Sequence, residues 1–465
     1  RTWDIPPLAD GTPGIVGIGT CGYNPSNGLS RMLGTLSTVL SHGWTAAFRA
    51  PGATWSNSST GVSPLHGVDF SIGSGSTRTA CTANYSTTGM VQGWLAGTGI
   101  VNSLQSTASA NPCACRGGDP WAGYQCAAKW IGMKPGVDGP TDMRIQAIRQ
   151  LANTGSLNSN NTQYVAGAYT TMDVSGAAAI VSYTVDCGTG WGVPGLVIVN
   201  PAVTASGTAY KFYSIGARVF RSDGSLVPIS GTSIALLSYT GHTPQDHAGI
   251  LGLTGYTTPS PYFSSANMST FLTEISGRAS GANAPNKIII YTGHNYAAAD
   301  VTDLQNIQSG SAATHSWRDI HIAIINQYKT LCAALNGGVN PDILLVYAEA
   351  HTHNNGVGDN DAGFDLVCLD ELRQVCASTG CELIDLFNRT WNGTTTDFNG
   401  ATFANKRIMW QYMKGATAVA QAGSGSGPVV NASPDFVHNS KQGCDWLWRI
   451  VWDVGCKSVS KVGSI

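Results

Sequence analysis

From residue 233 onward, short apolar runs of strand length alternate with longer stretches of helical periodicity, and this alternation limits the possible folds more than any other feature. Residues 234–239, 287–291, 343–347 and 382–387 read as strands. Residues 269–276, 316–335 and 362–378 read as helices between them, with a closing helix at 446–452. A strand buried on both faces loses apolar–polar alternation and becomes a continuous apolar run, as Lys287-Ile-Ile-Ile-Tyr291 does. Helical connections of this length join parallel neighbours. The expected class is therefore α/β, a flavodoxin-like parallel sheet with helices on both faces. Ligands of such sheets sit beyond the carboxyl ends of the strands, which directs attention to the residues just after Tyr239, Tyr291 and Tyr347.

Upstream the pattern changes. Residues 163–232 hold short runs at 178–185, 195–199, 210–213, 217–220 and 225–229, separated by turn clusters such as Arg221-Ser-Asp-Gly-Ser225. They read as a small antiparallel unit of sandwich or jelly-roll type. Residues 1–160 are rich in Gly, Ser and Thr and look irregular, apart from a strand at 14–19 and two helices. One helix is expected at 29–40, where Leu29, Met32, Leu33, Leu36, Val39 and Leu40 recur at helical spacing. The other is expected at 142–151, with Thr141 as its cap. The expected organisation is thus an N-terminal region, 1–160, supplying the first strand and helix of the core, an inserted β unit, 163–232, and the α/β core, 233–465.

Only 11% of the residues are charged, against roughly 25% in typical soluble domains. Small and hydroxylated residues cover the surface instead, which suits an extracellular, cell-surface or virion-surface protein, either a homo-oligomer or part of a larger assembly. The formal net charge is −2 and Lys and Arg form no run, so there is no electrostatic footprint for nucleic acid. No apolar stretch approaches the ~20 residues of a membrane span. A chain that starts at Arg1 is expected to have lost a leader.

The twelve cysteines favour disulfides and an oxidising compartment, with free buried thiols and zinc as alternatives. Cys113-x-Cys115 lacks the two-residue spacing usual for zinc. Cys444 with Cys456, and Cys376 with Cys381, are the simplest local pairs. Asn57, Asn84, Asn160, Asn267, Asn388 and Asn392 begin glycosylation sequons.

Three segments carry candidate chemistry. Thr292-Gly-His-Asn-Tyr296 follows a strand and brings the amide of Asn295 to the sheet rim, where it can donate to a developing oxyanion. Thr240-Gly-His-Thr-Pro244 follows another strand, and Gly241 frees a backbone N–H for the same use. In Ser433-Pro-Asp-Phe-Val-His-Asn-Ser-Lys-Gln-Gly443, Asp435 can orient His438 while the far ring nitrogen faces a nucleophile. Each signal is weak by itself. Their order and placement resemble the SGNH (GDSL-like) hydrolase family, whose blocks run nucleophilic Ser, Gly, Gly-x-Asn-Asp and Asp-x-x-His. The resemblance covers roughly residues 233–465. It implies that His438, Asp435, Asn295 and Gly241 belong to an esterase site that needs no metal or cofactor.

The chain departs from that pattern twice. Tyr296 stands where the family has Asp after the Asn. The first block, Gly-Asp-Ser at the end of the first strand, has two competing counterparts. Gly19-Thr-Cys21 has the strand–turn–helix context with Cys21 in the nucleophile's place, whereas Ile72-Gly-Ser-Gly-Ser-Thr77 offers Ser74 and Ser76 at shifted spacing. Ser76 is the more expected atom, and Cys21 fits the context better.

Other clusters read more simply as rim or packing residues. Glu349, His351 and His353 lie past a strand end; Asp359, Asp361 and Asp365 lack the EF-hand ligand pattern; Trp446, Trp448 and Trp452 suit the packing face of the last helix. Two functions follow. The first is an extracytoplasmic carboxylic ester hydrolase that deacylates a glycan through a serine-type acyl-enzyme. The second is a catalytically degenerate scaffold of the same fold, serving as a structural or adhesive subunit of a virion or surface filament.

Overall fold

The computed structural model describes residues 13–19, 43–47, 68–72, 81–85, 91–96, 113–117, 125–134, 141, 143–150, 164–177, 179–189, 193–199, 209–222, 226, 233–238, 243–256, 264–276, 287–293, 295–348, 362–396, 402–406 and 450–451. Among the described residues, twelve strands come first in chain order. They are β1 (Pro13–Gly19), β2 (Gly43–Ala47), β3 (Val68–Ile72), β4 (Cys81–Tyr85), β5 (Val91–Ala96) and β6 (Cys113–Gly117). Then follow β7 (Cys126–Met133), β8 (Met143–Gln150), β9 (Tyr164–Met172), β10 (Ile180–Gly188), β11 (Val193–Val199) and β12 (Ala209–Arg221). Next come β13 (Ser233–Ser238), α1 (Pro244–Ile250), α2 (Ser265–Ser276), β14 (Lys287–Thr292), α3 (Ala298–Ser309) and α4 (Ser316–Leu335). The remainder is β15 (Asp342–Tyr347), α5 (Ala362–Thr379), β16 (Glu382–Asp385), α6 (Leu386–Thr390) and the hairpin β17 (Trp391–Thr396) and β18 (Thr402–Lys406).

The fold is α/β, as the alternation requires. Strands β2, β13, β1, β14, β15 and β16 lie side by side in that order, and every neighbouring pair is parallel. With β2 set aside as an addition, the order β13-β1-β14-β15-β16 is the flavodoxin-like 2-1-3-4-5. Beyond β2 the same sheet continues through antiparallel β12, β7 and β10, with β5 and β4 attached to β12, to reach eleven strands. A second, antiparallel sheet has the order β3-β6-β11-β8-β9. All these antiparallel strands fall in the chain between β1 and β13.

Both faces of β14 and β15 are buried, which is why these two strands are almost wholly apolar. Ile288, Ile290, Ile343, Leu345 and Tyr347 pack with Phe271 and Leu272 of α2, Ile320, Ile324 and Tyr328 of α4, and Phe364 and Leu372 of α5. Ile289, Tyr291, Leu344 and Val346 are buried on the opposite face. Helix α2 also reaches the antiparallel half. There Glu274 accepts from Ser182 Oγ of β10 at 2.7 Å and pairs with Lys129 of β7.

Several sequence expectations need correction. Residues 142–151 do not form a helix. Residues 143–150 are β8, with Ile145 and Ala147 buried two apart, the period of a strand. The runs at 210–213 and 217–220 are one strand, β12, continuous through a bulge between Ser214 and Gly216. The strand expected to run to 387 ends at Asp385, whose Oδ1 accepts from Asn388 N at 2.9 Å and so caps α6. The 29–40 helix lies outside the described residues, as does most of 446–452, where Ile450 and Val451 are helical and Val451 is fully buried. Among the described residues Cys332, Cys368, Cys376 and Cys381 are free thiols, so the expected local pair Cys376–Cys381 is not cross-linked.

Candidate active site

In a 2-1-3-4-5 sheet the chain reverses its direction of winding between the first and third members, and a crevice opens at their carboxyl ends. Here those members are β1 and β14. Their pairing ends with Gly19 opposite Tyr291, and on the other side of β1 Gly19 pairs with Ser238 of β13. The loop that leaves β14 at this point is Gly293 to Ala297.

Its conformation demands glycine. Gly293 has φ +109°, and a Cβ there would lie 2.6 Å from Cε2 of Tyr347 and 3.1 Å from Cβ of Ala348. Strand β15 extends alongside, since Ala348 N donates to Thr292 O at 2.8 Å. Tyr296 then closes the loop. Its hydroxyl reaches Gly293 O at 3.1 Å and Tyr347 Oη at 3.0 Å, while Tyr347 donates to Asp365 Oδ1 of α5 at 2.6 Å. The Cys368 thiol approaches Tyr296 Oη at 3.8 Å. Around this chain of bonds the Tyr296 ring lies 4.8 Å from that of Trp317 and meets Phe364 edge-on at 5.5 Å. Burial pushes both tyrosines well above the usual phenol range, and the Asp365 carboxylate adds to the effect at each, so both stay neutral donors.

Asn295 sits in the middle of this braced loop. Its Nδ2 is buried and has no hydrogen-bond partner among the described residues. A buried amide left unpaired costs about 1–3 kcal/mol, so a fold retains one mainly where something else binds to it. Among the described residues Trp317 Nε1 is a second buried, unpaired donor, on the ring that lies tilted against Tyr296.

The surrounding helices are pinned to the same rim. Asp303 of α3 accepts from Thr314 Oγ1 at 2.9 Å and Ser316 N at 2.8 Å, satisfying the start of α4. Asp300 accepts from Ser316 Oγ at 2.8 Å and from Gln245 Nε2 of α1 at 3.2 Å, and burial raises its pKa. Thr243 and Asp246 form a capping box at the start of α1, two residues beyond Gly241. Thus α1, which follows β13 in the chain, and α3, which follows β14, are tied through Asp300. Below Asn295, His321 Nδ1 donates to Trp317 O at 2.7 Å, since a carbonyl can only accept. Its Nε2 therefore accepts from the Thr292 hydroxyl at 3.1 Å. Burial pushes the His321 pKa down to about 4, so the ring is neutral and serves to hold the last residue of β14.

Of the residues expected from sequence to form the site, Asn295 is the one among the described residues, and it lies three residues past the carboxyl end of β14. Gly241, Ser76, Cys21, Asp435 and His438 lie outside the described residues, as do His294, Glu349, His351, His353, Asp359 and Asp361. Strand positions still separate the two nucleophile candidates by sequence. Cys21 comes two residues after the end of β1 in the parallel sheet, and Ser76 comes four residues after the end of β3 in the second sheet. Asp365, considered as part of a calcium cluster, is buried and occupied by Tyr347. Among the described residues no group of three or more His, Cys, Asp or Glu side chains could hold a metal ion, and no helix is long and apolar enough to cross a membrane. Sequence reading missed Trp317, His321 and Tyr347. The one signal available was polar atoms at otherwise apolar positions, such as His321 on the buried stripe of α4.

No protein-family model matches the chain, and no curated sequence matches it. Among solved structures it is similar to a peptidoglycan O-acetylesterase, at 11% identity and TM-score 0.46, over 97% of this chain and 90% of that one. It is also similar to the Bacillus subtilis protein YxiM, at 11% identity and TM-score 0.29, over 89% and 97% of the two chains. A family 29 carbohydrate-binding module from Piromyces equi matches 34% of this chain and 84% of its own, at 8% identity and TM-score 0.21. At such scores the likeness is one of general outline.

Proposed function

We propose that the chain is an SGNH-type esterase that removes acyl groups from a glycan outside the cytoplasm. The observation that carries this reading is the buried, unpaired Nδ2 of Asn295 beside the switch point of a 2-1-3-4-5 sheet. A fixed donor in a site closed to water is worth most where negative charge develops, as on the carbonyl oxygen of an ester under attack. In this mechanism His438 is the general base, Asp435 orients it, and Asn295 Nδ2 with the Gly241 N–H receives the oxyanion. The nucleophile loses its proton to His438 and attacks the carbonyl carbon. The tetrahedral intermediate collapses, the sugar hydroxyl leaves with that proton, and water, deprotonated by His438, releases the acid.

Strand order supports Cys21 over Ser76 as the nucleophile, because β1 borders the switch point and β3 belongs to the other sheet. The sulfur of Cys21 would then form a thioester in place of the serine ester. The inserted antiparallel strands would help to position a polysaccharide. Turnover of p-nitrophenyl acetate tests the reading. His438→Ala and Cys21→Ala are expected to abolish it, whereas Ser76→Ala leaves it intact. Unchanged turnover in His438→Ala removes the assignment.

A second reading follows from the sequence, which has Gly19-Thr-Cys21 where the resembled family has Gly-Asp-Ser. With Cys21 oxidised in a disulfide it could not attack an ester, and the chain would serve as a structural or adhesive subunit of a virion or filament. A reactive-ester probe that labels neither Cys21 nor any serine, with no turnover in the unmodified chain, selects this alternative.

A further inference from the structure

Two cysteines, Cys376 and Cys381, differ from Cys126, Cys187, Cys332 and Cys368 in exposure and in their closeness to each other. Cys376 lies in the last turn of α5, and Cys381 immediately precedes β16. The turn between them contains Gly380 at φ +71°, which reverses the chain after the helix. This reversal brings Cys376 Sγ to 3.1 Å from Cys381 Sγ. Both residues are partly exposed, whereas Cys126, Cys187, Cys332 and Cys368 are buried. The Thr379 hydroxyl reaches Cys381 Sγ at 3.3 Å, and Lys329 Nζ bonds Thr379 O beside it.

We propose that Cys376 and Cys381 form a thiol–disulfide exchange site, in which a low-molecular-weight disulfide oxidises the pair to a cross-link between the end of α5 and the start of β16. The two sulfurs have different roles. A hydrogen bond from the Cys376 thiol, with help from Thr379 and the Lys329 charge, lowers the Cys381 pKa to about 7. The same bond raises that of Cys376, which keeps its proton. Burial pushes Cys332 up to about 12 and Cys368 well above the usual thiol range, so neither competes as a nucleophile.

The step balances as follows. Cys381 thiolate attacks one sulfur of RS–SR, forming Cys381–S–S–R and releasing RS⁻. The Cys376 thiol gives its proton to RS⁻, and its thiolate attacks Cys381 Sγ, releasing the second RS⁻, which takes up the proton that Cys381 had lost to solvent. One disulfide is reduced to two thiols and the protein dithiol is oxidised to one disulfide. The product ties α5 to β16, the edge strand of the parallel sheet.

The test uses the full chain, reduced, freed of reductant and exposed to oxidised glutathione near neutral pH, then alkylated and mapped by mass spectrometry. A cross-linked peptide joining Cys376 to Cys381, two hydrogens lighter and restored by reductant, is expected. The pair should lose its alkylation at least about tenfold faster than Cys332 or Cys368. Cys376→Ser should retain glutathione on Cys381 as a stable mixed disulfide, and Cys381→Ser should take up glutathione at least about tenfold more slowly. Full alkylation of both residues after oxidation, or pairing of either with a different cysteine, overturns the proposal. So do equal rates of glutathione uptake in the two variants. The wild-type map decides the matter even if a variant does not fold.

Discussion

Strands β14 and β15 run side by side for six residues, yet their two ends are built on opposite terms. At the amino ends Lys287 Nζ meets Asp342 Oδ2 at 2.8 Å; Lys287 is buried, but Asp342 is 64% exposed, so water supports its carboxylate. At the carboxyl ends half-buried Tyr296 bonds buried Tyr347, which bonds buried Asp365, while Asn295 Nδ2 and Trp317 Nε1 are buried and satisfied by nothing described. The first end is open at its acid, where water can replace Lys287 around the Asp342 carboxylate, while the buried Lys287 still needs an oxygen beside it. The second is rigid and incomplete. A site that must hold a donor in place before its acceptor arrives needs that combination.

The comparison can be broken first at Gly293. Gly293→Ala combines an unfavourable φ with a contact of 2.6 Å to a buried ring, and is expected to cost about 4 kcal/mol in denaturant unfolding. A loss below about 1 kcal/mol would mean that the loop is not braced against Tyr347. The next effect depends on pH. The His321 pKa is about 4 in the fold and near 6.5 in the unfolded chain, so on acidification the unfolded state takes the proton first. Stability should therefore fall between about pH 6.5 and pH 4 and level off below, for a total near 3 kcal/mol. His321→Gln should flatten that slope relative to wild type; equal slopes would contradict the buried neutral ring. Tyr347→Phe removes the hydrogen bond to Asp365 and is expected to cost about 2 kcal/mol. At the opposite end Asp342→Asn keeps an oxygen facing Lys287, and should cost no more than about 1 kcal/mol. If that change costs as much as Tyr347→Phe, the contrast between the two ends disappears.

How much of this was legible depends on whether the cause is local. Strands β14 and β15 could be read because burial on both faces turns them into apolar runs, and α4 because Trp317, Ile320, Ile324 and Leu331 repeat at helical spacing. Strand β8 was missed because Met143-Arg-Ile-Gln-Ala-Ile-Arg-Gln150 consists largely of good helix formers behind a threonine. Its pairing with β9 and β11 overrides that preference. Asn295 was legible from its place after a strand. The supports of Asn295 were not, since Tyr347 and Asp365 reach Tyr296 only through tertiary contact. Nor did Tyr296 announce its part, because an aromatic residue where the related pattern has a carboxylate reads as a loss until its hydroxyl is seen bonded to Gly293 O.

The most direct test of the rim as a catalytic site is Asn295→Ala, with p-nitrophenyl acetate turnover and thermal unfolding measured on the same preparation. Removing an unpaired buried amide should leave the melting temperature unchanged or slightly raised, while turnover falls about 100- to 1000-fold. Unchanged turnover in a chain that still folds, or a collapse of stability like that expected for Gly293→Ala, would contradict the role assigned to Asn295.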